Sequence, residues 1–508
     1  MFGTIRPLGE GDDSVSGCTP ARVKNALEYY IQTEDEVAIA SELLGSSDIR
    51  MFRKFLDIVF GHILRKLDYQ IYVGNLRPRH SGGATADKLK GNQKWTFPEW
   101  TERLEEIFPF LDNTLPSLSL ASHRLMESGG GLSVRLRTPE EELPVRVIPV
   151  PKSVDKPRLI SIEPSYMQYM QQAVGRWLMS TMKSDPIITK MIRLDDRDFN
   201  RDAARIGSLD GSLATLDLKD ASDRLSWRLV AQGFASYPWL VKAMDATRSR
   251  KANVAGTEIE LSKFAGMGSA LTFPIQTIVF ATIALMGVAN ARNLGSHLIM
   301  RSVDQVRVFG DDIIVPSDTR GMVVKELEAF GFKLNTAKSF WTGKFRESCG
   351  GDFYSGSDVS YVKVRRHLPQ SRNDVKQIVS AVALRNRFYE YGYWTTAAWM
   401  DTWLETLLRF YPAVSAQSTL LGHLTFLQPE GARLDKDLQV PTVTGLFLKD
   451  RPPKSVIDGV NALTRWFYES QLMADPLDFM YPKVHDVDRF NRSGRPTSAT
   501  LIRGTRPF

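Results

Sequence analysis

The chain has almost no cysteine. Cys18 and Cys349 are the only two in 508 residues, far apart and without a Cys-x-x-Cys pair. That scarcity excludes a disulfide framework and a cysteine-built zinc site, and it suits a reducing cytosol. The opening residues, Met-Phe-Gly-Thr-Ile-Arg-Pro, hold no apolar signal core. No internal repeat and no low-complexity tract is present. The triplet Gly129, Gly130 and Gly131 lacks the following Gly-Lys-Ser/Thr of a phosphate-binding loop, which excludes a P-loop NTPase there. Charge is absent from one long run: between Lys263 and Arg292 no residue is charged. The run is long enough to span a membrane. It nevertheless carries Thr272, Pro274, Gln276, Thr277 and Thr282 and opens on Gly266 and Gly268. It reads as a glycine-rich loop leading into a deeply buried helix.

What is present is ordinary in bulk. The hydrophobic fraction is 43%, ten tryptophans are available to bury, and the length predicts two or three subdomains. A net charge of +7 weakly favours a polyanionic partner. Residues 21–70 are predicted helical, with Ile49, Phe52, Phe55, Ile58 and Ile63 on one face. Residues 71–100 read as a basic loop region containing Arg77, Arg79, His80, Lys88, Lys90 and Lys94. From about 145 to 365, short apolar strands alternate with helical stretches, which predicts an α+β core. After 370 the pattern is helical again, with an apolar face through Val379, Val382, Phe388, Trp399, Trp403, Leu407 and Leu408. The last twenty residues, with Arg489, Arg492, Arg495, Arg503 and Arg506 among Ser, Gly, Pro and Thr, read as a mobile basic tail.

Five segments carry chemistry. Val306–Val315 places Gly310, Asp311 and Asp312 between two β-branched runs, the pattern of a hairpin with acidic residues at its turn. Adjacent carboxylates raise each other's pKa unless a cation neutralises them, so the turn predicts a divalent-metal site. Upstream, Leu213–Leu218 alternates like a strand that ends at Asp217, and Ala221-Ser222-Asp223 offers caps for a following helix through Leu225, Trp227 and Leu229. If that strand lies beside the hairpin, Asp217 and Asp311 face each other and share two ions, the arrangement that clamps both oxygens of a nucleotidyl transfer. Gly266-Met-Gly268-Ser269 through Thr272 and Gln276 supplies close backbone approach and neutral hydrogen-bonding groups suited to a sugar hydroxyl. Lys152, Lys156 and Arg158 lie within seven residues, on what reads as paired extended strands, and suit a triphosphate. Finally, Phe330-Gly-Phe-Lys-Leu-Asn335-Thr-Ala-Lys338 ends a helix in a turn with a lysine able to act as a general acid.

Each segment alone has a bland reading: a turn, a helix entry, a solvated basic face, a surface lysine. Their order is that of right-handed polymerases. With Asp210-Gly-Ser-Leu-Ala-Thr-Leu-Asp-Leu-Lys-Asp-Ala-Ser-Asp223, Phe309-Gly-Asp-Asp312 and Phe345-Arg-Glu-Ser-Cys-Gly350, the region of about 150–360 resembles the RNA-dependent RNA polymerase, the replicase beta subunit, of single-stranded RNA bacteriophages (levivirus-like). The resemblance implies fingers over 1–205, a palm over 206–365 with a fingers insertion at about 228–262, and a helical thumb with a basic tail over 366–508. It implies that Asp217, Asp311 and Asp312 bind two Mg2+ ions (Mn2+ being an alternative). It also implies that Asp223, Ser269 and Thr272 sense the ribose, that Lys152, Lys156 and Arg158 hold the triphosphate, and that Lys338 is the general acid. RNA template and product and NTPs follow as ligands. Host elongation factors Tu and Ts and a ribosomal RNA-binding protein follow as partners, in the cytoplasm of a bacterial host and with no membrane. Phe309 stands where the family more often has tyrosine, and the chain is somewhat short for the family, which implies a reduced fingers or thumb segment. A reverse transcriptase, a related capsidless-virus polymerase and a basic RNA-binding virion protein are the alternatives. The small or polar residues Lys219 to Asp223 after the first aspartate favour ribonucleotides over the first of these.

Overall fold

The computed structural model describes residues 19–115, 134–150, 157–364, 366–426, 432–437, 439–451, 459–473 and 498–508. Lys152 and Lys156, the Gly129–Gly131 triplet and the arginines at 489, 492 and 495 lie outside them. The chain divides into two units of mixed helix and strand, Met1–Val359 with Ile457–Pro482, and Ser360–Val456 with Lys483–Phe508.

The first unit opens on two helices where the apolar spacing predicts one continuous stretch. α1 (Pro20–Leu43) starts from Thr19, whose side chain accepts from the Arg22 amide, with proline in the first turn. Leu44 and Gly45 adopt extended backbone and break the run before α2 (Ser46–Tyr72). Ile49, Phe52, Phe55 and Ile63 of α2 are buried, as their spacing predicts. The basic region that follows is less basic at its surface than it reads. His80 packs its ring against those of Phe97 and Tyr169, and burial holds it well below its ordinary pKa. Lys94 turns inward and donates to the carbonyls of Ser81 and Gly83 at 2.7 Å.

Two sheets follow. β1 (Val145–Val150) and β2 (Arg158–Ile162) pair antiparallel, as the basic segment predicts. After α3 (Ser165–Ser184) and α4 (Asp198–Asp210), β3 (Leu213–Leu216) begins the second sheet. β4 (Lys251–Val254) and β5 (Thr257–Glu260) return to the first, giving the order β2-β1-β4-β5. α5 (Thr272–Ala291) is apolar on every side. It is long and apolar enough to cross a membrane by composition, yet 94% of its apolar window is buried inside the fold, so it is a core helix, as the sequence predicts. β6 (Arg307–Phe309) and β7 (Asp312–Pro316) complete the second sheet in the order β3-β7-β6. α6 (Arg320–Ala329) lies along α5, and β8 (Phe345–Ser348) and β9 (Gly351–Tyr354) form a last hairpin.

In the second unit, α7 (Val375–Glu390) and α8 (Trp394–Leu408) pack through Ile378, Ala381, Val382, Met400, Leu404 and Leu408. Trp399, expected on the apolar face, is 60% exposed. The unit is not purely helical. β10 (Pro441–Arg451) and β11 (Ser498–Pro507) form a long antiparallel ribbon, so the predicted mobile tail is a strand over its described part. Arg503 and Arg506 lie over the rings of Phe410 and Phe447 at 4.1 and 4.4 Å, and the distant ladder partner supplies the order that composition alone does not suggest.

Candidate active site

Gly310 and Asp311 form the two-residue turn between β6 and β7, with Asp312 paired to Phe309 across it. The first turn position needs a positive φ, and Gly310 supplies +65°. A Cβ there would also meet the ring of Phe273 at 2.7 Å, so only glycine lets the tip sit on the first turn of α5. The Gly310 amide donates to Thr277 Oγ1 at 3.2 Å. The Phe309 ring packs edge-on against Phe273 at 5.3 Å, a contact that asks for an aromatic ring and not for a hydroxyl. Asp311 is exposed and Asp312 is half-buried.

β3 runs antiparallel to β7, with Leu216 opposite Ile313; one further step of that register sets Asp217 opposite Asp312. The expected neighbourhood of strand and hairpin is therefore present. The turn after α6 holds Asp217 from the other side. Asn335 donates to it twice, from Nδ2 to Oδ2 at 2.6 Å and from its backbone amide to the carbonyl at 2.8 Å, while Ser339 Oγ accepts from the Asp217 amide at 3.0 Å. Burial, with Asp311 and Glu347 adding to it, pushes the Asp217 carboxyl up to about 6 against the opposing pull of Asn335 and Lys338. Asp312 is likewise pushed up to about 6, by burial and then by Asp311 and Asp217, although the Cys349 amide and thiol both bond to it. Cys349 sits in the β8–β9 turn at φ +50°, and burial beside Asp312 pushes its thiol up to about 12, so it stays protonated and donates. Lys338 is exposed and 3.8 Å from Glu347, within reach of the field at Asp217.

Three carboxylates thus share one field with too little positive charge, which is the deficit a divalent cation removes. Among the described residues no three His, Cys, Asp or Glu side chains form a ready metal cage. A magnesium ion does not require one: it takes one or two carboxylates and completes its shell with phosphates and water. The oxygen donors of Asp217, Asp311 and Asp312 fit such an ion.

The glycine loop lies against the basic hairpin. A Cβ on Gly268 would overlap the carbonyl oxygen of Ser161 in β2, and the Ser161 amide donates to the Met267 carbonyl at 2.8 Å. Thr272 is buried and closes the loop by donating to the Gly266 carbonyl at 2.8 Å, whereas Ser269 is half-exposed. Gln276 is buried beside Gly310, and its Oε1 has no hydrogen-bond partner among the described residues. Arg158 is exposed at the start of β2. Asp223 does not cap the next helix; Ser226 does, accepting from the Leu229 amide at 3.2 Å. Asp223 instead accepts from the buried Lys263. Asn335, Ser339, Cys349 and Lys263 escape a reading of the sequence. The only local hint is that Asn335 and Cys349 stand in segments already singled out for other residues and that Ser339 directly follows one.

Just past β2, Glu163 is fully buried and accepts from Ser249 Oγ at 2.6 Å. Burial lifts its carboxyl from an ordinary 4.5 to about 7, against the pull of Ser249, Gln171 and Arg248. A folded-state pKa above the unfolded one favours folding at low pH and loses that advantage as pH rises through about 7. Relative to Glu163→Gln, which mimics the protonated acid, the wild-type chain is expected to lose about 3 kcal/mol of stability between pH 4.5 and 7.5. Urea midpoints of the two proteins across that range measure it, and parallel curves would refute the assignment.

The comparisons with known proteins converge on this region. The family model described as "RNA replicase, beta-chain" matches residues 75–393. The RNA-directed RNA polymerase beta chain of Escherichia phage MS2 is 37% identical over 219 residues, 43% of this chain and 37% of that one. The RNA-directed RNA polymerase subunit beta of Enterobacteria phage SP is 29% identical over 321 residues, 62% of this chain and 50% of its own length. The chain thus spans half or less of the length of these relatives. Among solved structures, the RNA-dependent RNA polymerase of a human picorbirnavirus aligns with 48% of this chain and 54% of that one at 12% identity and a TM-score of 0.35, too slight a likeness to build on. With the family model covering well over half its length, the chain belongs to the RNA replicase beta-chain family.

Proposed function

We propose that the chain is an RNA-directed RNA polymerase that copies an RNA template from ribonucleoside triphosphates by two-metal-ion nucleotidyl transfer, replicating a viral positive-strand genome in the cytoplasm of a bacterial host. The observation that carries this reading is the register that sets Asp217 beside the Asp311–Asp312 turn, with two of the three carboxylates held up near 6 by burial and then by the charge of Asp311. In the right-hand architecture, the β3-β7-β6 sheet with α5 and α6 is the palm, the N-terminal part of the first unit the fingers, and the second unit the thumb.

Asp217, Asp311 and Asp312 would hold two Mg2+ ions, which would supply positive charge against the primer hydroxyl and the triphosphate. Asn335 and Ser339 fix Asp217 so that it meets its ion without rearrangement. Asp223 and Ser269 read the ribose hydroxyl, with Thr272 holding the loop and Gln276 Oε1 open to a ligand donor. Lys152, Lys156 and Arg158 grip the triphosphate, and Lys338 delivers a proton to the leaving pyrophosphate. Elongation factors Tu and Ts and a ribosomal RNA-binding protein are the proposed host partners.

The test is incorporation of labelled ribonucleotides by the purified chain on a short RNA template with magnesium. Product that is lost on chelation is expected, with bacterial lysate added if the chain needs a host subunit. Silence with and without lysate would sink the polymerase reading and leave an RNA-binding protein. Equal use of 2′-deoxynucleotides would point instead to a reverse transcriptase.

A further inference from the structure

Lys263 is a deeply buried cation near the site, with a side chain only 1% exposed. Its Nζ donates to Asp223 Oδ1 at 2.8 Å, stands 3.1 Å from Glu34 Oε1, and lies 3.6 Å above the ring centre of Tyr30. Both Glu34 and Tyr30 come from α1, some two hundred residues upstream. Glu34 Oε2 also accepts from the backbone amides of Ser262 and Lys263 at 2.8 and 3.4 Å, which fixes the segment after β5 that carries the lysine. The Tyr30 hydroxyl is 3.2 Å from Ser161 Oγ, the residue against which the glycine loop closes. One buried ammonium therefore joins α1, β2, the glycine loop and the turn that carries Asp223.

Burying an ion pair is a poor way to gain stability. Well-packed apolar side chains of similar volume do as well or better, because two charges must first leave water. Here burial lowers the pKa of the lysine, and Asp223, Tyr30 and Glu34 together outweigh that and raise it above the ordinary value. The surroundings are thus built to keep a charge that the core does not need. The charge has one partner that still reaches solvent: Asp223, whose side chain is 19% exposed.

We propose that Lys263 is a positioning residue for sugar recognition. Its ammonium, seated between Glu34 and the face of Tyr30, takes one oxygen of Asp223 and so fixes the carboxylate with its other oxygen toward the ribose hydroxyl of the incoming nucleotide. The proposal rests on the polymerase reading above and extends it to a residue outside the five segments of the site.

The experiment measures kcat/KM for a ribonucleotide and for its 2′-deoxy counterpart, in the wild-type chain, Lys263→Met, Asp223→Ala and the double variant. A hydrogen bond to a charged group that is lost or misdirected lowers the rate with the ribonucleotide by roughly tenfold to a hundredfold. Use of the 2′-deoxynucleotide, which lacks the hydroxyl, should change by less than about threefold. Lys263→Met added to Asp223→Ala should cost nothing further, because residues acting through one contact are not additive. A merely structural lysine predicts equal losses for both sugars and multiplying losses in the double variant; either result overturns the proposal. If Lys263→Met does not fold, because Glu34 is left buried without a cation, Glu34→Gln/Lys263→Met removes both buried charges and carries the same test. A wild-type chain that makes no RNA sinks the polymerase reading itself. An active, selective wild type beside an equally selective lysine variant sinks only the role of Lys263.

Discussion

Asp217→Asn or Asp311→Asn is expected to lower RNA synthesis about a hundredfold to a thousandfold while RNA binding stays within a few-fold of wild type. The asparagines keep the shape of the side chain and remove its charge, so the sheet register and the glycine turn are left as they are. What is lost is the carboxylate field proposed to hold the divalent ions, and a site that works by stabilising charge in the reaction loses two to three powers of ten with one such group. The two substitutions should differ in a second respect. Asp311 is exposed at the turn, so its replacement should leave stability unchanged. Asp217 is half-buried with a carboxyl raised to about 6, so its asparagine form relieves an unfavourable buried charge and should melt no lower than wild type near neutral pH. Filter binding to a labelled RNA, thermal melting and primer extension, run side by side, separate these effects. Retained synthesis in either variant would remove the acidic turn from the mechanism. Lost RNA binding would mean that these carboxylates hold the fold and not the ions.

Arg346→Met is expected to destabilise the first unit by more than about 3 kcal/mol. The guanidinium is completely buried, and it donates to five carbonyls. Nε reaches Leu213 at 2.7 Å, Nη1 reaches Thr342, Gly343 and Phe345 at 3.3, 3.1 and 2.7 Å, and Nη2 reaches Trp341 at 3.2 Å. Leu213 begins the strand that ends beside Asp217, so this one side chain ties the loop before β8 to the backbone that presents a candidate metal ligand. A methionine fills the volume and leaves those carbonyls dry. Lysine should rescue little, because three donors on one nitrogen cannot span five carbonyls that a planar fork reaches. Urea unfolding followed by tryptophan fluorescence gives the size of the effect. Hydrogen exchange at 213–217 and 341–346 shows whether the loss is local first. An unchanged midpoint would mean that water replaces the guanidinium without penalty.

What can be read from the sequence here is what is decided locally. The Gly-Asp turn between β-branched runs is fixed by φ at a single glycine and by period-two alternation. The buried helix after the glycine loop is fixed by its lack of charge. Where the outcome depends on distant partners, the reading falters. Ser498–Pro507 looks like a tail because its partner strand lies some fifty residues away and its own composition is basic and small. His80 and Lys94 look like part of a basic face, yet an aromatic cluster takes one and two backbone carbonyls take the other. Lys263 and Arg346 have the same difficulty in sharper form: a buried cation is rare enough that no one-dimensional pattern announces it, and both are explained only by groups that the fold brings to them. At the site, the aspartates are legible because their chemistry demands a carboxylate. Asn335, Ser339 and Cys349, which hold those aspartates in place, are not, because many polar residues could do the same work.

The helix Thr272–Ala291 has a consequence for the order in which the protein is made. Its apolar surface is covered by α2, which leaves the ribosome first, and by β7 and α6, which leave it last. A nascent chain that has emerged only to residue 300 therefore carries a largely apolar helix of twenty residues with part of its cover not yet emerged. At about 5–20 residues per second, that exposure lasts on the order of seconds. The acidic hairpin itself, Arg307–Pro316, is the next segment out, and it lies down on the same helix. Assembly of the acidic turn and burial of the helix are in this way one event: the chain completes its site in the act of hiding the surface most prone to stick to other chains.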